Sequence, residues 1–439
     1  MAIPQTPAHV RKLFYRTIEE MERQKELFVN RPGKDFSRHR ICTFQDTILT
    51  IITKETHCLK RELYEFYKLR SKRAPTKSAF SQSRRKLNSD VFPFFLNSFN
   101  HKNPFKKTYK GLHLIACDGT DSNIPADKED SFTFIPFNSN NGGYYQNHTV
   151  VMYDLLEKRY TDAIVQPRRK MQEVDACCRM IDRNPLYGKC LFIADRGFES
   201  FNLMAHAIEN HHYFLIRVKN IEQERSSYKH IDLSSADECE AHCELILSRK
   251  SSKLQKEFPQ RFKRLFPNRT FDFIPQGDRE STYTLNFRLV KIRLSNGTFE
   301  YLITNLPEKQ FPLVEIKALY GMRWGIEVSF LFLKYNLSMN YFHSADRDAI
   351  VQEIFAKLIL YNFISLIISC ASVPEKKTKY HYQISLTDAI YKCRDYLLRQ
   401  IPDSGIVELL LRDLTPIRPD RSYNRNMRTQ SLKSLQNRA

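Results

Sequence analysis

Glycine is scarce in this chain, 12 of 439 residues, and tryptophan occurs once. No GxxxxGK[ST] run is present and no GxGxxG follows a strand-like segment, so the glycine loops that cradle nucleotide phosphates are unsupported. HExxH is absent too, which removes the two-histidine zinc helix of many metalloproteases. The opening MAIPQTPAHVRKLFYRT lacks the apolar centre of an export signal. Long apolar runs are missing as well. The longest uncharged stretch, LILYNFISLIISCASVP, contains Asn362, Ser365, Ser369 and Ser372 and falls short of the roughly 20 apolar residues a membrane span needs. It reads as a buried core helix, and no membrane partner is expected. The ten cysteines form no regular framework, so reduced thiols in the cytoplasm are the expectation. In ECEAHCE, Cys239, His242 and Cys243 lie close together, but no second ligand pair with zinc spacing follows, and chance clustering is the reading.

What the chain has in excess is positive charge. Lys and Arg number 69 against 49 acids, a net charge of +20. Such an excess is a statement about partners, and a polyanion, nucleic acid first, is the natural one. Double-stranded DNA in a cytoplasmic, nucleoid-associated setting is therefore expected. Hydrophobic residues make up 42%, enough for folded domains.

Residues 1–105 read as an all-α DNA-binding domain. TFQDTILTIITKE spaces Ile48, Leu49, Ile51 and Ile52 as a helix does, and KRELYEFYKLRS follows. APTKSAFSQSRRKL starts with Pro75 and the candidate N-cap Thr76. Its polar, basic face, with Lys77, Arg84 and Arg85, suits a helix-turn-helix-like reader, although a solvated helix face has the same composition.

Beyond HKNPFKK the periodicity changes. GLHLIACDG, YQNHTVVMYDLL and YTDAIVQP read as strands, a helix is expected near residues 173–183, and KCLFIADRG, FNLMAHAIENH and HYFLIRVK read as strand, helix, strand. This order, over residues 106–219, is that of a mixed α/β sheet. Residues 220–308 read as a mostly β insertion, with YTLNFRLVKIRL and TFEYLITNL joined by a turn at Asn296-Gly297. RFKRLF within it is basic enough to touch DNA. Helix then runs from about residue 313 to 371, in a segment taken as 309–375. Residues 376–439 form a helical end with a polar, basic, poorly ordered tail.

The stretch ALYGMRWGIEVSFLFLKYNL, residues 318–337, carries the chemistry. At roughly 100° per residue, Tyr320, Arg323, Glu327 and Lys334 fall in a stripe about 60° wide. The remainder is apolar, so the helix is expected to be mostly buried with one charged stripe. Buried charge needs a partner, a metal or a polar ligand. An internal Arg323–Glu327 pair at i,i+4 satisfies that demand as well as a ligand does. Two further acids bear on the choice. Asp118 and Asp195 each end a β-like run, where a packed helix can bring Glu327 to them. Three converging carboxylates repel and raise one another's pKa values unless cations neutralise them, and oxygen ligands suit Mg²⁺ or Mn²⁺. Two such ions can clamp a phosphodiester. Asp121, after the strand end, reads as a turn cap, and His148 as a satisfied core histidine.

These residues resemble those of DDE transposases of the insertion-sequence-four type. The resemblance lies in IACDGT, IADRGF, YLITNL, PTKSAFSQSRRKL and the Tyr-x2-Arg-x3-Glu-x6-Lys pattern, met at Tyr320, Arg323, Glu327 and Lys334. It covers nearly the whole chain. It implies a ribonuclease-H-like catalytic domain interrupted by a β insertion. Asp118, Asp195 and Glu327 would be catalytic metal ligands for two ions, and Tyr320, Arg323 and Lys334 would bind the DNA backbone. It further implies binding of terminal inverted repeats, cleavage at the element's ends, strand transfer to target DNA, and a homodimer in a synaptic complex. One departure stands out: where some members carry an additional lysine, this chain has Phe330 and Leu331. Alternatives are a structure-specific nuclease of the same fold without strand transfer, and an inactive DNA-binding derivative.

Overall fold

The computed structural model describes residues 5–38, 40–137, 142–221, 226–233, 236–294, 297–375 and 380–417. The basic tail beyond residue 417 and Asn296 of the expected turn lie outside the described residues. Gly297 of that turn has φ +81°, the left-handed region that glycine enters without a Cβ penalty.

Five helices open the chain: α1 (Pro7–Arg23), α2 (Phe44–Thr53), α3 (Leu59–Leu69), α4 (Lys77–Arg84) and α5 (Val91–Lys102). Threonine starts three of them. Thr6, Thr43 and Thr76 accept from the backbone N–H of His9, Asp46 and Ala79 and satisfy a donor the helix cannot. A long strand follows, β1 (Leu112–Ile124), then β2 (Phe134–Pro136), β3 (Gly143–Asp154), β4 (Arg159–Pro167), α6 (Glu173–Asp182), β5 (Lys189–Ala194), α7 (Phe201–Glu209) and β6 (Tyr213–Val218). Next come β7 (Cys239–Ser248), α8 (Leu254–Glu257), β8 (Phe262–Arg264), β9 (Thr282–Arg293) and β10 (Phe299–Thr304).

The strands form one mixed sheet. β3 pairs antiparallel with β1, and both β2 and β4 pair with β3. On the other side β1, β5 and β6 are parallel neighbours. β10 then pairs antiparallel with β6, so the β-rich region from β7 to β10 extends this sheet.

The helices after the sheet differ from the single run expected. α9 (Leu313–Met322) and α10 (Trp324–Leu331) meet at Arg323, a π-turn spans Phe332–Asn336, and α11 (Arg347–Ser369) begins only after an irregular link. Ser338, at φ +57°, turns the chain there. α11 is buried along most of its length, so its apolar surface faces protein. The described chain closes with β11 (Tyr382–Ile384), α12 (Leu386–Leu397), α13 (Ile406–Arg412) and β12 (Leu414–Pro416).

Side chains alternate across β1. Leu114 and Ala116 join a core cluster shared with α1–α5, α10 and α11, whereas Ile115 and Cys117 join a second cluster with α6 and α7. The N-terminal helices are fastened to α11 by charge as well. Glu353 lies 2.5 Å from Lys54 and 2.7 Å from Arg84, all three buried. Arg84 also donates to Gln352 at 2.8 Å and to the carbonyl of Ala349. Burial alone would raise the pKa of Glu353, but Lys54 and Arg84 hold it well below the carboxylate range. Arg84 is thus not the exposed DNA contact its sequence context suggested, because α11 covers it and satisfies its guanidinium.

Glu353→Ala leaves two buried cations without their anion and is expected to destabilise the fold by about 3–5 kcal/mol. A shift in the urea midpoint equivalent to less than about 1 kcal/mol would refute this role.

Candidate active site

The register of two strands brings the first two acids together. Cys117 pairs with Ala194 at the last step of the parallel β1–β5 ladder. Asp118 is the next residue on β1, and Asp195 is the first residue past the end of β5. Leu114 and Ala116, with Leu191 and Ile193, face the cluster that contains α10 and α11. By alternation, Asp118 and Asp195 turn to that same face. Asp118 does not end its strand, as β1 continues to Ile124 against β3. Only its parallel partner ends, so β5 no longer flanks β1 beyond Cys117. Each aspartate Oδ1 accepts a local backbone N–H at 2.8 Å, Asp118 from Gly119 and Asp195 from Gly197.

α10 delivers Glu327. Gly325 lets the helix sit close to the sheet, since a Cβ there would be 3.1 Å from the Leu155 side chain. The buried Tyr160 hydroxyl of β4 donates to Ser329 Oγ at 2.7 Å and fixes α10 two residues beyond Glu327. At the α9–α10 junction the backbone tightens, with i→i−3 bonds from Arg323 N to Tyr320 O and from Ile326 N to Arg323 O, both 3.0 Å. Arg323 Nη2 donates to Glu327 at 2.8 Å, and Nη1 lies 3.8 Å from Asp118. The internal pair and the convergence on Asp118 are therefore both present. Arg323 Nε is buried and has no hydrogen-bond partner among the described residues. Tyr320 is buried, with the guanidinium 5.7 Å over its ring, so it backs Arg323 and does not reach out to solvent. Lys334 sits in the π-turn; burial lowers its pKa, and the charges of Asp121 and Asp118 oppose that shift.

The helix is less buried than its composition suggested. Trp324, Val328, Leu331 and Tyr335 expose 47–76% of their surface along one face, while Phe330 is buried. An apolar helix predicts burial only if something covers each side, and the sheet covers one.

Burial, together with the charges of Asp195 and Glu327, pushes the Asp118 carboxyl up to about 6, against the opposing Gly119 N–H and Arg323. Carboxylates such as Asp118, Asp195 and Glu327 are the ligand type that suits a hard divalent cation, but they are not among the described groups whose ligand atoms all lie within 4.8 Å of one another. Elsewhere, the ligand atoms of Glu240, His242 and Glu308 all lie within 4.8 Å of one another. Two of these are exposed, and they are already partnered: Arg288 lies 2.5 Å from Glu240 and His242 2.8 Å from Glu308. Alternation along β7 turns His242 away from Cys239 and Cys243.

The basic N-terminal residues separate in space. Lys77 and Arg85 are exposed, and Arg84 is buried. Arg85 and Lys86 line a cavity of about 650 Å³ together with Arg31, Lys34, Arg38 and Arg40. The loop cations of this cavity were not singled out from sequence, because they are scattered over a segment without periodicity. Asp121 is no turn cap: it lies within β1, 2.7 Å from His148 and 3.0 Å from Arg168. His148 is buried and also touches Glu173 at 2.9 Å. Glu173, the first residue of α6, carries no motif signal.

Residues 110–363 match the family model described as transposase DDE domain. The span contains Asp118, Asp195, Glu327 and Lys334. A comparison with curated proteins gives no match. Among solved structures, the chain has a distant likeness to the piggyBac transposase synaptic complex with hairpin DNA, with a TM-score of 0.44, 12% identity, and coverage of 92% of this chain and 85% of that one.

Asp118 binds its proton more tightly folded than unfolded, so its ionisation subtracts stability as pH rises from about 4 through about 6. In metal-free buffer near pH 8, Asp118→Asn should be more stable than the parent by about 1–2 kcal/mol, with the difference vanishing below about pH 4. Denaturant titrations at the two pH values test this; equal or lower stability of the variant near pH 8 contradicts it.

Proposed function

The chain belongs to the transposase DDE domain family, and we propose that it is a metal-dependent DNA transposase of the insertion-sequence-four type. On this reading it binds the terminal inverted repeats of its element, cleaves the ends and joins them to target DNA. The observation that carries the proposal is the meeting of Asp118 and Asp195, on adjacent parallel strands, with the Arg323–Glu327 pair of the overlying helix. The strand order β4-β3-β1-β5-β6, antiparallel on one side of β1 and parallel on the other, supports a ribonuclease-H-like domain.

Asp118, Asp195 and Glu327 would hold two Mg²⁺ or Mn²⁺ ions. When bound there, the ions would activate and clamp the attacking and leaving oxygens of a phosphodiester. The chain's own residues do the rest. Arg323, shared between Glu327 and Asp118, would turn to a phosphate oxygen once bound cations neutralise those acids, with the ring of Tyr320 beside its guanidinium. Lys334 adds charge on the same side. The cavity lined by Arg85, Lys86, Arg31, Lys34, Arg38 and Arg40 supports duplex DNA binding by the N-terminal helices, with Lys77 exposed nearby on α4. A homodimer that synapses two ends in the cytoplasm completes the proposal.

The test uses the protein with a DNA fragment carrying its reading frame and flanks. Ala substitution of Asp118, Asp195 or Glu327 is expected to reduce end cleavage at least 10³-fold while leaving DNA binding intact. Cutting by the triple variant at the parent rate would sink the site. Cleavage without any joined target product would favour the nuclease alternative. Arg85→Ala should lower the slope of log affinity against log salt by about 1. An unchanged slope would remove Arg85 from the interface.

A further inference from the structure

A fourth carboxylate stands beside the backbone that presents the two aspartates. Glu173 begins α6, which packs on the face of the sheet opposite Glu327. Its two oxygens lie against two glycines. A Cβ on Gly119 would come within 2.5 Å of Glu173 Oε1 and of His148 Nε2. A Cβ on Gly197 would sit 3.5 Å from Glu173 Oε2 and 3.1 Å from Asp195 Oδ1. Each glycine is close in sequence to one of the two aspartates: Gly119 follows Asp118, and Gly197 is two residues past Asp195. The carboxylate is thus inserted between the two backbone segments that present the aspartates. At Gly119 only the absent side chain makes room for it.

Glu173 is also held there. His148, buried in β3, touches Glu173 Oε1 at 2.9 Å through Nε2 and Asp121 Oδ1 at 2.7 Å through Nδ1. Arg168 holds the same Asp121 oxygen at 3.0 Å. Arg168, Asp121, His148 and Glu173 form a line of contacts ending at the site. Glu173 keeps about a quarter of its side chain exposed, and Oε2 is not engaged by this line.

We propose that Glu173 is a positioning residue of the metal site, accepting hydrogen bonds from the water ligands of the cation on the Asp195 side. Gly119 and the His148–Asp121 pair exist in this arrangement to seat it. Mg²⁺ and Mn²⁺ retain waters, and carboxylates that orient such waters tune affinity without touching the ion. This role rests on the metal-dependent reading above.

The experiment measures Mn²⁺ binding to the full chain by electron paramagnetic resonance, alongside thermal melting in EDTA. Glu173→Gln keeps the shape and a contact to His148 but removes the charge; it should weaken Mn²⁺ about 10-fold with melting in EDTA unchanged. Gly119→Ala displaces the same carboxylate and should weaken Mn²⁺ similarly, and combining it with Glu173→Gln should add little. Parent-like Mn²⁺ affinity in both single variants overturns the proposal. So does a lower melting temperature of Glu173→Gln in EDTA with affinity unchanged, which would make the residue a structural prop. Asp195→Asn is the control. If it too binds Mn²⁺ like the parent, the metal-dependent reading itself fails; if it alone loses the ion, only the role of Glu173 does.

Discussion

Two carboxylates presented side by side by parallel strands repel each other, and the surroundings of β1 and β5 are organised around that repulsion. The register that ends at Cys117 and Ala194 leaves Asp118 and Asp195 no freedom to turn apart. Burial is the larger cause of the raised Asp118 pKa, and the charge of Asp195 adds to it. Arg323 answers it in the structure, shared between Glu327 and Asp118. A guanidinium does this well because several donors diverge from one charge. A cation in the same place would do it better, which is the electrostatic sense of assembling acids that a fold otherwise keeps apart.

Placing the third acid is a matter of packing at a distance. The sheet alone cannot present Glu327, which arrives on a helix whose backbone tightens at Arg323 and widens into a π-turn at Phe332–Asn336. Tyr160 and Ser329 tie that helix to β4, and Asn362 of α11 accepts from the backbone of Tyr160 at 2.8 Å. α11 in turn is anchored by Glu353 to Lys54 and Arg84. The N-terminal helices thus share one core with α10 and α11, and a cation that looked like a DNA contact became part of the frame.

Much of the candidate site was proposed from the sequence because its members sit at positions with strong local signals. Asp118 and Asp195 close apolar β-like runs, and Glu327 sits four residues after Arg323 inside an apolar helix. The Thr76 cap was legible for the same reason, since its hydrogen bond is made within its own helix. Arg84 and Arg85 were not separable, because neighbouring residues on a short helix differ only in what packs against each side. Asp121 seemed to lie past a strand because polar residues follow Asp118, yet β3 pairs with them and prolongs β1. The exposed face at Trp324, Val328 and Leu331 escaped notice for the converse reason: apolar residues announce a tendency to be covered, and the cover comes from elsewhere.

The sequence by itself determined most of the local elements, the charge balance and the candidate acids with their flanking Arg323 and Lys334, since each depends on residues close in the chain. Tertiary structure decided which cations are free, where the apolar helix meets solvent, and that Glu173 stands beside Asp195. Those facts depend on which side of each strand and helix meets another element, and hydrogen bonds such as His148 to Asp121 join residues too far apart in sequence for any spacing to signal them.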